Sequence, residues 1–282
     1  MSKFTVIDLF SGAGGLSKGF LDAGFEVVLG IDFDDSALKT FGKNHGNAKA
    51  LKLDLYNLDN IECIIKEFNK KHDVLDVLVG GPPCQGFSLA GKREEDDKRN
   101  TLYKAMVRLA EEMKPRAIVL ENVPGMLTLY NGAGKTRIFS DFEKLGYTMS
   151  VKVLYAPEYG VPQIRKRAFF VGLLDAEKEF EFPKPILSSD EFITCEDAIG
   201  DLPALDGIYG DVIQEYECEP RTEYQSEMRR YSTKIYNNIG TIHSDKTVKM
   251  ISMVPEGKNY KSLPEEYRGL YKYMSLIHIW RC

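Results

Sequence analysis

Histidine and tryptophan are scarce in this chain, with four His and one Trp among 282 residues. The five cysteines, Cys63, Cys84, Cys195, Cys218 and Cys282, form no Cys-x-x-Cys pair. With so few imidazoles to complete a ligand set, a zinc site is not expected. A disulfide framework does not suit a chain of this size in a reducing compartment. No apolar run approaches the ~20 residues a membrane helix needs. The start, "MSKFTVIDLF", runs directly into a strand-like segment and lacks the pattern of a signal peptide. A soluble, cytoplasmic protein is expected. There is no basic excess either: 37 Lys and Arg stand against 42 Asp and Glu, a formal net charge of −5. That balance does not advertise nucleic-acid binding, but it excludes little, because a local basic face is enough. No internal repeat or low-complexity tract is present.

What is present is a core-forming chain, 43% hydrophobic, with an alternating rhythm over residues 1–175. "FTVIDLF", "EVVLGID", "ALKLDL", "VLDVLVGG" and "RAIVLEN" read as strands. Helical segments such as "DDSALKTFGKNHG", "NIECIIKEFNKKH" and "TLYKAMVRLAEEMK" separate them. "YTMSVKVLYA" and "RAFFVGLL" follow as further strands. This βαβα order predicts an α/β fold, a mostly parallel sheet with helices on both faces. Ligands in such sheets bind beyond the carboxyl ends of the strands. The texture changes at "FEFPKPILSSDEF", and the expected division is a first domain over 1–178 and a second, irregular region over 179–274.

Four segments could carry chemistry. In "DLFSGAGG" a strand ends at Phe10 and a Gly-rich turn leads into a helix, so the backbone can approach a ligand near a helix N-terminus. Asp32, at the end of the next strand, suits ribose hydroxyls, and Asp54 ends the third. The pair fits NAD as well as S-adenosylmethionine. In "GGPPCQGFS" Pro82 and Pro83 stiffen the turn that carries Cys84, which suits a nucleophile that must meet one atom at one angle. "ENVPGM" puts Glu121 at the same sheet edge as a candidate acid. In "QIRKR" strand alternation puts Gln163, Arg165 and Arg167 on one face, where guanidiniums suit a phosphate or a base carbonyl. "NGAGKT" resembles a phosphate loop, but the required glycine is replaced by Leu129.

Taken in order, "DLFSGAGGL", "GPPCQGFS", "ENVPGML" and "QIRKR" resemble the DNA (cytosine-5)-methyltransferases of bacterial restriction–modification systems. Weaker similarity continues through "CEDAIGDLP" and "HSDKTVKMISMVPEGKNYKSLP". The resemblance implies a Rossmann-like, S-adenosylmethionine-dependent methyltransferase sheet and a smaller target-recognition domain. It implies that Phe10, Gly12, Gly15, Asp32, Asp54, Pro82 and Leu102 hold the cofactor. Cys84 would be the nucleophile, Glu121 the acid and Arg165 a contact to the cytosine. Gln85, Ser88, Asn122, Gln163 and Arg167 would support the substrate site. The mixed-charge "SLAGKREEDDKRN" looks like the loop that closes over DNA. Double-stranded DNA would be the partner, a separate cognate nuclease a possible companion, and the protein a monomer without metal.

The family's Gly-Asn-x-Val-Pro segment is not found, and much of the target-recognition region is missing. Residues 275–282, "SLIHIWRC", read as a translated sequencing adapter if TGA encodes Trp280. The expectation is a non-native tail on a chain cut short. A tRNA-methylating relative, an oxidoreductase and an inactive binding fragment stand as alternatives. The tRNA branch carries Cys-Phe-Thr, and no cysteine here is followed by Phe-Thr.

Overall fold

A computed structural model describes residues 3–83, 102–128, 132–205, 212–240, 242–255, 258 and 260–268. Cys84, Gln85, Ser88, the segment 88–100 and residues 275–282 lie outside the described residues. Contacts divide the chain into two compact units, Met1–Asp190 and Glu191–Cys282.

In the first unit the described residues form a seven-stranded sheet. Its strands are β1 (Thr5–Leu9), β2 (Glu26–Asp32), β3 (Lys49–Lys52), β4 (Val77–Gly80), β5 (Ala117–Asn122), β6 (Tyr147–Tyr155) and β7 (Lys166–Leu174). The order is β3-β2-β1-β4-β5-β7-β6. The first five strands are parallel, while β7 lies antiparallel between β5 and β6. Strand order reverses between β1 and β4, so a crevice opens at their carboxyl ends, where ligands bind in sheets of this kind.

Alternation sorts the strand residues to two faces. Val6, Val27, Val77 and Val79 pack on one side with Phe41 and, from the flanking helix, Leu16 and Phe20. That side carries α1 (Gly15–Asp22) and α2 (Asp35–Asn44). Ile7, Leu9, Leu29, Ile31 and Leu78 point the other way. They meet α3 (Asn60–Phe68), α4 (Tyr103–Met113) and α5 (Ala133–Glu143) through Ile64, Phe68, Met106, Leu109, Ile138 and Phe142.

Gly30 is required by packing. A Cβ there would lie 2.2 Å from Phe41 Cζ, and the Phe41 ring is fully buried. The same ring stacks on His45 at 4.5 Å, and His45 Cε1 would meet a Cβ on Gly14 at 2.3 Å. Gly14 also has φ of +91°, which a side chain resists. The Gly-rich turn therefore rests on a Phe41–His45 stack that itself lies against bare backbone of β2. Gly30→Ala should cost about 1–3 kcal/mol by overpacking. Urea unfolding measures this, and adding Phe41→Leu should recover part of the loss.

The expected boundary at residue 178 falls earlier than the observed one at Asp190. The intervening segment bonds to the first unit: Phe180 N–H donates to Ser150 Oγ at 3.0 Å, and the N–H groups of Ile186 and Leu187 donate to the Glu158 carbonyl at 2.9 and 3.1 Å. These are mostly backbone bonds, which composition does not reveal.

The described part of the second unit is built of short elements: α6 (Cys195–Ile199), β8 (Ile213–Gln214), α7 (Glu223–Arg229), β9 (Ile235–Tyr236), α8 (Asp245–Ser252) and α9 (Glu265–Arg268). Its small apolar cluster is Met250, Val254 and Leu263. Polar closure compensates for so small a core. Thr194 and Asp197 form a capping box on α6, and Thr222 caps α7 while its hydroxyl donates to the Asp197 carbonyl at 2.7 Å. Arg229 pairs with buried Asp201, donates to the Cys218 carbonyl at 2.7 Å and stacks 3.6 Å from the Tyr216 ring centroid.

Candidate active site

The crevice begins where β1 ends. Phe10 adopts φ of +63°, a conformation costly for a residue with a side chain, by about 1–2 kcal/mol. Two bonds donated by backbone N–H groups hold it there. Ser11 N–H donates to the Ile31 carbonyl at 2.9 Å, and Gly12 N–H donates to Asp32 Oδ2 at 2.8 Å. The other oxygen of Asp32 accepts from the N–H groups of Phe33 and Asp34 at 2.8 and 3.0 Å. Asp32 thus ties the Gly-rich turn to the end of β2. Gly12 has φ of +54°, and Gly15 opens α1.

A cavity of about 350 Å³ lies beside this turn, lined by Phe10, Asp32, Phe33, Leu53, Asp54, Leu55, Tyr56, Gly81, Pro83 and Leu102. Four of the seven residues singled out for a cofactor line it: Phe10, Asp32, Asp54 and Leu102. Gly12 and Gly15 shape the turn instead. Asp54 lies two residues past β3, not at its end, and one carboxylate oxygen accepts from Tyr56 N–H at 2.9 Å. Of the two prolines, Pro83 lines the cavity; the Pro82 carbonyl accepts from Asn122 Nδ2 at 2.9 Å in a buried position. Sequence reasoning passed over Phe33 and Tyr56. Their signal was adjacency, since each lies within two residues of an aspartate singled out for the cofactor, Asp32 or Asp54.

Asn122 joins the two halves of the site. It sits at the end of β5, its Oδ1 accepts from Val123 N–H at 2.8 Å, and its amide holds the turn at Pro82. Beside it, Glu121 reaches across Gly81: a Cβ built on Gly81 would stand 3.4 Å from Glu121 Oε2. The carboxylate is held from the antiparallel strand, with Arg167 Nε at 2.9 Å and Arg165 Nη2 at 3.6 Å from Oε1. Glu121 and Phe169 are register partners, so one face of β7 presents Arg167 to Glu121. Gln163 is not brought to this pair. It is exposed in the turn before β7, where its backbone N–H donates to the Val161 carbonyl at 2.7 Å.

The arrangement is a cavity bearing aromatic rings and two carboxylates, bordered through Gly81 and Pro83 by a third carboxylate clamped by two arginines. The model for C-5 cytosine-specific DNA methylases matches residues 4–275. This chain belongs to that family. It is 35% identical to the Type II methyltransferase M.DdeI of Desulfomicrobium norvegicum over 93% of its own length and 63% of the relative's. It is 36% identical to M1.HphI of Haemophilus parahaemolyticus, over 95% of this chain and 65% of that one. The chain therefore spans a little under two thirds of these relatives. A solved structure described as a DNA modification methyltransferase from an E. coli prophage matches with a TM-score of 0.72 and 30% identity. That match covers 91% of this chain and 77% of the other. Membership of this family and the Rossmann-like fold are thereby shown.

The cavity fits an adenosyl sulfonium. Phe10, Phe33 and Tyr56 bring rings to the lining for a purine, Asp32 and Asp54 offer acceptors, and no cation is among the described lining residues.

Proposed function

We propose that this family member methylates carbon 5 of cytosine in a specific duplex DNA sequence, with S-adenosylmethionine in the cavity beside Phe10. When bound, that cofactor supplies an electrophilic methyl group. The observation that carries the reading is Glu121, held by Arg165 and Arg167 over Gly81, next to the turn that leads into Cys84.

Each residue has a task under this reading. Phe10, Phe33, Asp32, Asp54 and Leu102 bind and orient the adenosyl group. Carbon 5 of cytosine is a poor nucleophile. Addition of the Cys84 thiolate to carbon 6 turns it into an enamine carbon. Glu121 delivers a proton to ring nitrogen 3 and so drains charge from the ring as the thiolate adds. Arg165 contacts the base, and Arg167 fixes the Glu121 carboxylate. Loss of the carbon-5 proton then expels Cys84 and restores the aromatic ring. Asn122 positions the nucleophile through Pro82. A base inside a duplex is beyond reach of any such site, so it must be extruded, at a cost of about a few kcal/mol.

Gln85, Ser88 and Gln163 complete the substrate contacts in this proposal, and target recognition belongs to the second unit. The protein acts as a monomer in the cytoplasm, and any cognate nuclease acts separately. Among the described residues no helix is long and apolar enough to cross a membrane.

Transfer of labelled methyl from S-adenosylmethionine tests the reading. Incorporation into duplex DNA and not into tRNA is expected. Label in tRNA alone would replace this reading with the tRNA one.

A further inference from the structure

Asp8 is the most deeply buried carboxylate of the sheet, 1% exposed and one residue before the end of β1. Its register partners are Gly30 on β2 and Val79 on β4, so its side chain lies on the face covered by α1 and α2. There Oδ2 accepts from Ser17 Oγ at 2.6 Å, and Ser17 is itself fully buried in the first turn of α1. α1 needs that partner. Its N-cap is Gly14, with no side-chain cap, and no acidic residue stands in its first turn. Asp8 supplies from the neighbouring strand an acceptor for the Ser17 hydroxyl in that first turn, and the negative charge that helix starts ordinarily find in their own sequence.

The arrangement is costly. Burial pushes the Asp8 carboxyl up to about 7, against the Ser17 hydrogen bonds, and the charge that reaches it, on Asp32, adds to the rise. A raised carboxyl contributes stability below its unfolded value near 4, and that contribution is lost as pH rises through about 7. At pH 8 the ionised group therefore works against folding. An asparagine could still accept from the Ser17 hydroxyl without that cost. A residue kept only for stability would do better neutral.

We propose that Asp8 is a positioning residue for the cofactor. Its carboxylate caps α1 from beneath and so holds the Phe10–Gly15 turn in the form that borders the cavity. The inference rests on the cofactor reading above. Asp32 secures the front of the same turn through Gly12, and Asp8 secures its back through Ser17. An amide keeps an acceptor for Ser17 but carries no negative charge beneath the helix start.

Calorimetric titration of the full chain with S-adenosylmethionine, paired with thermal melts, tests this with wild type, Asp8→Asn and Ser17→Ala. At pH 8, Asp8→Asn should melt at or above the wild-type temperature yet bind about tenfold more weakly, the scale of a lost helix cap. Ser17→Ala should weaken binding by a smaller factor. Wild-type affinity should fall between pH 8 and pH 6 as Asp8 takes up its proton, and Asp8→Asn should show no such fall. Two further titratable groups meet the turn: His45, buried on Phe41 with Nε2 unbonded, and Asp32, bonded to Gly12 N–H. A pH dependence that persists in Asp8→Asn would lie outside Asp8 and overturn the proposal. So would unchanged binding by Asp8→Asn, or a melting temperature that falls along with affinity. Failure of the wild type to bind at all would overturn the cofactor reading and this inference with it.

Discussion

Cys84→Ala should abolish methyl transfer, by a factor on the order of 10⁴–10⁶, the scale on which covalent catalysis fails when its nucleophile is removed. The reason is chemical. Without a thiolate adding at carbon 6, carbon 5 has no electron density to offer a methyl donor, and no other group named at the site can provide it. The neighbouring structure supports the assignment. Pro82 and Pro83 leave the chain little freedom before Cys84, and the Pro82 carbonyl is pinned by Asn122 at 2.9 Å. Duplex DNA containing 5-fluorocytosine gives a direct measurement. Fluorine cannot leave as a cation, so wild type should accumulate a covalent complex that survives denaturing electrophoresis, and Cys84→Ala should accumulate none. An adduct that persists in the variant would assign the nucleophile elsewhere.

Glu121→Gln should lower the turnover of bound DNA by about 10²–10⁴, the usual worth of a placed general acid. Glutamine preserves the shape over Gly81 but carries no transferable proton, and it discharges the carboxylate that faces Arg167 at 2.9 Å and Arg165 at 3.6 Å. Two neighbouring cations then repel each other, where one anion had held both. Single-turnover kinetics should show the loss in the rate of the chemical step. Cofactor affinity, measured separately, should stay near wild type, because Glu121 lies outside the cavity lining. A variant that turns over normally would remove Glu121 from the chemistry.

Much of this site is legible in the sequence alone. The Gly-rich turn, the strand-end aspartates, the Pro-Pro-Cys turn and the Glu-Asn pair are each contiguous, and contiguous features carry their backbone constraints with them. Strand rhythm places them at the carboxyl ends of parallel strands, and parallel strands bring those ends to one edge. The charge balance, by contrast, points away from nucleic acid, because a sum over the chain does not record where the cations gather.

The sequence by itself determined the sheet and helix succession and marked the candidate groups at the strand ends. All of these follow from local φ/ψ limits and short-period patterning. Only the tertiary structure decided that β7 inserts antiparallel beside β5, because strand order depends on which faces bury together and not on local preference. That insertion sets Arg165 and Arg167 against Glu121, while Gln163, of the same alternation, remains in the exposed turn. Tertiary packing likewise selected Pro83 over Pro82 for the cavity, added Phe33 and Tyr56 to it, and buried Asp8 beneath α1. In each case the deciding contact joins residues distant in sequence or turns on which side of a bend faces inward, and one-dimensional periodicity carries no term for either.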